Sequence, residues 1–324
     1  MENFDNIVSR LRPELDGMNG IISASLHTEN DMMQQVVSSY LRTKGKQIRP
    51  IMVILAAKLF NGCNEHTLHA GAALEMLHNA SLIHDDVVDE TPLRRGRPTI
   101  NFTWGNHIAV LVGDFFVSNA LAAAIRTDRI SIIQAVSDLG KELSLGEIDQ
   151  ICNVRENRFD EPSYINMIRQ KTASLFRSCV RTGAATAGVS EREAAPLVEY
   201  AEVLGLCFQI KDDIFDYYND PSIGKPTGND LREGKVTLPL IYALNNAPEQ
   251  ESEKMKELLV RGNLTDEEIH QLIDFAIRQG GVDYAFETMR RMQQESESLL
   301  QAYPDTEWKE CFREIFDFII SRKN

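Results

Sequence analysis

Two short aspartate clusters are the residues of this chain best equipped for chemistry. Asp85-Asp86-Val87-Val88-Asp89 and Asp212-Asp213-Ile214-Phe215-Asp216 both read D-D-x-x-D. An apolar, helix-like run leads into each, Ala80-Ser81-Leu82-Ile83 into the first and Leu206-Cys207-Phe208 into the second. Residues four apart share a helix face, so Asp85 with Asp89, and Asp212 with Asp216, set carboxylates side by side. Such a row repels itself unless a cation intervenes. Mg²⁺ takes oxygen ligands, keeps several waters and binds one or two carboxylates together with substrate phosphates. Two facing rows would hold a diphosphate through a cluster of such ions. A solvated acidic face is the ordinary alternative. The repetition of the pattern, and its embedding in apolar sequence where charge must be compensated, argue against it.

The elements that carry these clusters read as helices. Apolar periodicity near 3.6 covers roughly 3–17, 29–42, 47–61, 66–90, 105–127, 130–154, 161–187, 191–218, 235–245, 252–260, 265–279, 282–301 and 305–321. Strand signals are scarce. The runs 66–90, 161–187 and 191–218 are apolar over most of their circumference and are expected at the centre. Thr265 before Asp266-Glu267-Glu268 reads as a helix start. No Pro/Gly/Ser-rich linker interrupts the 324 residues, so 1–324 is expected to form a single all-α domain, a helical bundle large enough to enclose a pocket.

The formal net charge of −14 argues against a nucleic-acid partner. Five dispersed cysteines without C-x-x-C spacing read as reduced thiols of a cytoplasmic protein. Met1-Glu2-Asn3-Phe4-Asp5 lacks the layout of a signal peptide, and no apolar run is expected to be long enough to span a bilayer.

With both clusters in view, the chain resembles the all-trans polyprenyl diphosphate synthases of the isoprenyl diphosphate synthase family. The residues carrying this are Ser81-Leu82-Ile83-His84-Asp85-Asp86-Val87-Val88-Asp89-Glu90-Thr91-Pro92-Leu93-Arg94-Arg95-Gly96-Arg97-Pro98 and Phe208-Gln209-Ile210-Lys211-Asp212-Asp213-Ile214-Phe215-Asp216-Tyr217. Gly45-Lys46-Gln47-Ile48-Arg49-Pro50, Gly113-Asp114, Gly146-Glu147, Lys171-Thr172-Ala173 and Gly224-Lys225-Pro226-Thr227-Gly228-Asn229-Asp230 occur around them in the family's order. The resemblance runs from about residue 40 to 245.

It implies the isoprenoid synthase fold, with the two aspartate helices facing each other across a deep central cavity. It also implies about three Mg²⁺ ions per active site. Asp85 and Asp89 would ligate the first metal pair, with Asp86 supporting. Asp212 would bind the third ion, and Asp213 and Asp216 would ligate through water or hold neighbouring basic groups. Lys171, Lys225 and Lys235 would meet the leaving diphosphate. Lys46, Arg49, His78 and Arg95 match the isopentenyl diphosphate pocket, Arg94 an allylic-diphosphate contact, and Thr172 and Gln209 the groups that turn oxygen dipoles toward the cation. The reaction implied is repeated condensation of isopentenyl diphosphate onto a farnesyl or geranylgeranyl diphosphate primer by a homodimer. The product would serve as a quinone side chain, with at most transient membrane contact for its release.

Product length turns on Ala80 and Ser81, roughly 6–7.5 Å below Asp85 along the helix. Short-chain members of the family commonly carry an aromatic residue there. Two small residues leave the tunnel open and point to a product of roughly six to ten isoprene units, whose next stops would be Met76, Leu77, Phe115 or Phe116. A shorter, geranylgeranyl-type product and a role as the catalytic subunit of a heteromeric synthase stay open. A terpene cyclase fits less well, because Lys46, Arg49 and Arg95 are present.

Overall fold

The computed structural model describes residues 2–42, 45–94, 96–218 and 227–322. Helices dominate it: α1 (Glu2–Arg10), α2 (Arg12–Ser25), α3 (Asp31–Leu41), α4 (Ile48–Leu59), α5 (Glu65–Val88), α6 (Ile100–Trp104), α7 (Asn106–Ile125), α8 (Ile130–Arg155), α9 (Glu161–Ile168), α10 (Ser174–Thr186) and α11 (Glu191–Phe215). They continue with α12 (Asn229–Arg232), α13 (Leu238–Asn246), α14 (Glu249–Arg261), α15 (Asp266–Arg278), α16 (Gly281–Leu300) and α17 (Glu307–Ser321). The all-α expectation holds. Among the described residues the strands are β1 (Leu93–Arg94) and β2 (Arg97–Pro98), an antiparallel hairpin.

Three local readings change. The helix expected over 3–17 is two helices, because Leu11 leaves helical geometry and Pro13 restarts the chain in the first turn of α2, where its missing N–H costs no hydrogen bond. The helix expected over 161–187 is interrupted by a π-helical turn, Arg169–Ala173. The expectation that no apolar run reaches spanning length is corrected by α7. Its 20 residues hold a single charge, Asp114, and pass for a membrane span by length and composition. Yet Ala109, Val112, Phe116, Ala120 and Ala123 of α7 are buried, and α5 is its principal neighbour.

The chain groups into two compact units. The first comprises residues 1–141, 175–201 and 300–315, and the second 142–174, 202–299 and 316–324. In the first, α5 packs along α7, α2 and α4, and the run Ile51–Ala57 of α4 is fully buried. In the second, α13 packs on α15, α14 and α9 around Leu240, Leu272 and Phe275. The helix start read at Thr265 is capped as expected, Thr265 with Glu268 beginning α15, and Asn64 with Thr67 begins α5 in a second reciprocal capping box.

Candidate active site

The first acidic row closes α5. Asp89 N–H donates to the Asp85 carbonyl at 2.8 Å and Thr91 N–H to the Asp86 carbonyl at 3.0 Å, while Glu90 turns left-handed at φ 49°. This is the usual way to satisfy the last carbonyls of a helix. It places Asp85, Asp86 and Asp89 at the negative pole of a 24-residue helix. The three carboxylates are not equivalent. Asp86 is buried, and its Oδ1 accepts both Nε and Nη2 of Arg94 at 2.8 Å. The hairpin sets Arg94 in reach, and Asn101 Nδ2 locks the Asp86 carbonyl at 2.9 Å. Asp85 and Asp89 stay partly exposed. Behind the row, His84 Nε2 sits 3.2 Å from the Val110 carbonyl. Gly113 makes that approach possible, since a Cβ there would lie 2.1 Å from the same nitrogen.

The second row closes α11 differently, through tighter three-residue bonds: Asp216 N–H donates to the Asp213 carbonyl at 3.2 Å and Tyr217 N–H to the Ile214 carbonyl at 3.1 Å. Asp213 is buried and accepts the Tyr164 hydroxyl on Oδ2 at 2.6 Å and Gln209 Nε2 on Oδ1 at 2.7 Å. Burial pushes its carboxyl up to about 7 against the pull of those two donors, and Asp212 and Asp216 add to the rise. Gln209 Oε1 in turn accepts the Thr172 hydroxyl at 2.7 Å, so Thr172, Gln209, Asp213 and Tyr164 form one chain of hydrogen bonds. Asp216 accepts the backbone N–H groups of Asn229 at 2.9 Å and Asp230 at 3.0 Å. It therefore ties down the segment that follows the glycine-rich loop. Asp212 is the carboxylate turned outward, with its side chain 40% exposed and its Oδ1 paired to Arg322.

The π-helical turn presents Lys171, which is ion-paired with Glu147 and donates to Gln150 Oε1 at 3.0 Å. A π turn inserted in a helix commonly marks a functional position. α8 can lie against it only because residue 146 is glycine, where a Cβ would meet the Lys171 backbone nitrogen at 2.6 Å. Lys235 donates to Glu233 Oε2 at 2.5 Å. In the other unit, Lys46 is exposed, Arg49 stands in the first turn of α4 with its guanidinium 5.4 Å from the Phe176 ring centre, and His78 is buried on α5. Arg95 and Lys225 lie outside the described residues. Ala80 is 1% exposed, whereas Ser81 is partly exposed and donates its hydroxyl to the His78 carbonyl at 2.9 Å. Ser81 lies about 40° round the helix from Asp85 and Ala80 about 140°.

The donor chemistry fits a hard divalent cation. Carboxylates at a helix C-terminus are unfavourable until a cation compensates them. Among the described residues no three acid, histidine or cysteine side chains form a cage on their own. That suits an ion which completes its shell with water and phosphate oxygens. The buried thiols offer no competing nucleophile, because burial pushes Cys179 and Cys207 up from their ordinary value.

Residues 30–276 match the family model described as polyprenyl synthetase. The chain belongs to that family. It is a prenyltransferase of the isoprenoid synthase fold. Octaprenyl diphosphate synthase from Haemophilus influenzae is 32% identical over 310 residues, covering 95% of this chain and 94% of that one. A polyprenyl synthase from Caulobacter crescentus, solved in complex with calcium and isoprenyl diphosphate, superposes with a TM-score of 0.93 at 30% identity, covering 99% and 98% of the two chains. Geranylgeranyl pyrophosphate synthase from Bacteroides thetaiotaomicron is 36% identical with a TM-score of 0.86, covering 99% of this chain and 100% of its own.

Sequence reasoning picked out both acidic rows and missed three side chains that hold them: Tyr164, Asn101 and Arg322. Tyr164 and Arg322 lie 49 and 110 residues from the aspartates they contact, and no local pattern marks them. His84 and the close approach at Gly113 had a signal, a glycine inside an apolar helix.

Proposed function

We propose that this prenyltransferase condenses isopentenyl diphosphate repeatedly onto an allylic diphosphate primer, with Mg²⁺ as cofactor, and releases a long-chain all-trans polyprenyl diphosphate for quinone side chains. The observation that carries this reading is the placement of both D-D-x-x-D rows in the last turns of long helices, with Asp86 and Asp213 buried and Asp85, Asp89 and Asp212 partly exposed. The ions bound by Asp85, Asp89 and Asp212 would stabilise the charge that develops on the departing diphosphate. Lys171, Lys225 and Lys235 meet the leaving oxygens. Lys46, Arg49, His78 and Arg95 hold isopentenyl diphosphate, for which the guanidinium fork is suited. Thr172 and Gln209, joined by a 2.7 Å hydrogen bond, would turn their oxygens toward the allylic cation, which must be kept from water. The complex of the Caulobacter crescentus relative with calcium and isoprenyl diphosphate supports this use of metal and substrate.

The whole chain acts as one catalytic domain, a reading supported by a family match that runs through both compact units. Its active form is a homodimer in the cytoplasm. Val110, Leu111, Val117, Leu121 and Ile125 of α7 are exposed on one helix and suit burial against a second copy. The octaprenyl relative and the small side chain at Ser81 favour a long product. The likeness to a geranylgeranyl pyrophosphate synthase supports the shorter alternative. The deciding experiment incubates the purified chain alone with Mg²⁺, farnesyl diphosphate and labelled isopentenyl diphosphate and sizes the product. Chains of roughly six to ten units are expected. A product that stops at geranylgeranyl diphosphate would overturn the long-chain reading, and no product without a second polypeptide would make this the subunit of a heteromer.

A further inference from the structure

Arg322, just beyond the end of α17, is built into the second acidic row. Its side chain is 7% exposed. The guanidinium carbon lies 4.2 Å from the centre of the Phe208 ring and 5.5 Å from that of Phe215. One nitrogen, Nη2, donates to the Phe208 carbonyl at 3.1 Å and is also paired with Asp212 Oδ1. Its Nε is buried with no hydrogen-bond partner among the described residues. Burying a guanidinium with one donor unsatisfied costs stability, so the placement asks for a reason beyond packing. The rings and the Phe208 carbonyl fix the group rigidly. It can therefore hold one oxygen of Asp212 and leave the other aimed outward.

We propose that Arg322 is a positioning residue for metal binding at Asp212, pinning Oδ1 so that Oδ2 is presented in one orientation to a divalent cation. This rests on the reading that Asp212 is a metal ligand. Partners that orient a ligating carboxylate from behind typically contribute 10- to 100-fold in metal affinity. The positive charge of Arg322 works against a nearby cation, so orientation has to outweigh repulsion, and the two effects predict opposite signs.

The test is calorimetric binding of the unreactive thio-analogue of farnesyl diphosphate to the full chain over a series of Mg²⁺ concentrations. Arg322→Met keeps the apolar stem between the rings and removes the donors. It should raise the Mg²⁺ concentration for half-saturation about 10- to 100-fold. Arg322→Lys, which restores charge without the fork, should recover part of the loss and carries the test if Arg322→Met does not fold. Asp212→Asn should shift the Mg²⁺ dependence at least as far, and adding Arg322→Met to it should cause no further shift. An unchanged or lowered Mg²⁺ requirement in the Arg322 variants overturns the proposal, as does a full additive loss in the double variant. If Asp212→Asn itself leaves the Mg²⁺ dependence unchanged, the reading of Asp212 as a ligand falls instead.

Discussion

The Tyr164 hydroxyl donates to Asp213 Oδ2 at 2.6 Å, and both groups are buried. With Gln209 on the other oxygen, Asp213 has a protein donor at each end of its carboxylate. It is thereby a strut of the second acidic row rather than its outer face. Replacing Tyr164 by Phe removes one donor while keeping the ring. The buried acceptor left behind should cost about 1–3 kcal/mol, measured as a lower urea midpoint of the metal-free protein. An unchanged midpoint would mean that Gln209 or water takes over the vacant oxygen.

Metal dependence separates the outward carboxylates from the inward ones. Excess chelator should abolish turnover. Asp85→Ala or Asp212→Ala should each lower turnover on the order of 10²- to 10³-fold with little change in melting temperature. Steady-state rates beside thermal melts decide the point. Full activity in excess chelator would falsify the metal-clamp reading.

Chain length gives a cleaner test at Ser81 than at Ala80. Ala80 is packed into the core, so a ring there would strain α5 by about 1–3 kcal/mol. Ser81 is partly exposed on the face that carries Asp85. Ser81→Phe should shorten the product and leave the first condensation nearly intact. Chromatography of the dephosphorylated products compares variant with parent. Unchanged lengths at normal activity would place the product path elsewhere.

The exposed apolar side of α7 predicts an association equilibrium. Leu121 is 44% exposed in the isolated chain. Leu121→Asp would bury a charge in any apolar contact made there and should convert a dimer to monomer in sedimentation at micromolar concentration. A parent chain that is already monomeric would defeat this assignment of the face.

Glu268 supplies a pH dependence whose sign is fixed. Its hydrogen bonds from Arg261 and from the Thr265 N–H hold the carboxyl down at about 2, from an ordinary 4.5. A carboxyl depressed in the folded state stabilises above its ordinary value and loses that stabilisation as pH falls toward the depressed one. The melting temperature of Glu268→Gln should therefore lie below that of the parent at neutral pH, and the gap should narrow between about pH 4.5 and 2. A gap that is constant down to pH 2.5 would show that the cap does not need the charge.

The sequence by itself determined the helical class, the two D-D-x-x-D rows and the fact that each row shares a helix face. These are local properties, set by a 3.6-residue period and by carboxylates spaced one turn apart. The cap at Thr265 was legible for the same reason, because its partners are three residues apart. What only the tertiary structure decided is which carboxylates are already committed. The partner of Asp86 arrives on a hairpin, that of Asp213 from α9, and that of Asp212 from beyond α17. Periodicity reports a face but not what packs against it, and a contact made across 49 or 110 residues leaves no trace in local pattern. The π turn under Lys171 was hidden likewise, since its hydrogen-bond register depends on how α8 comes to lie against it at Gly146. Nor could composition tell the apolar α7 from a membrane span, because one side of it is buried by α5 and the other is an exposed surface of the folded chain.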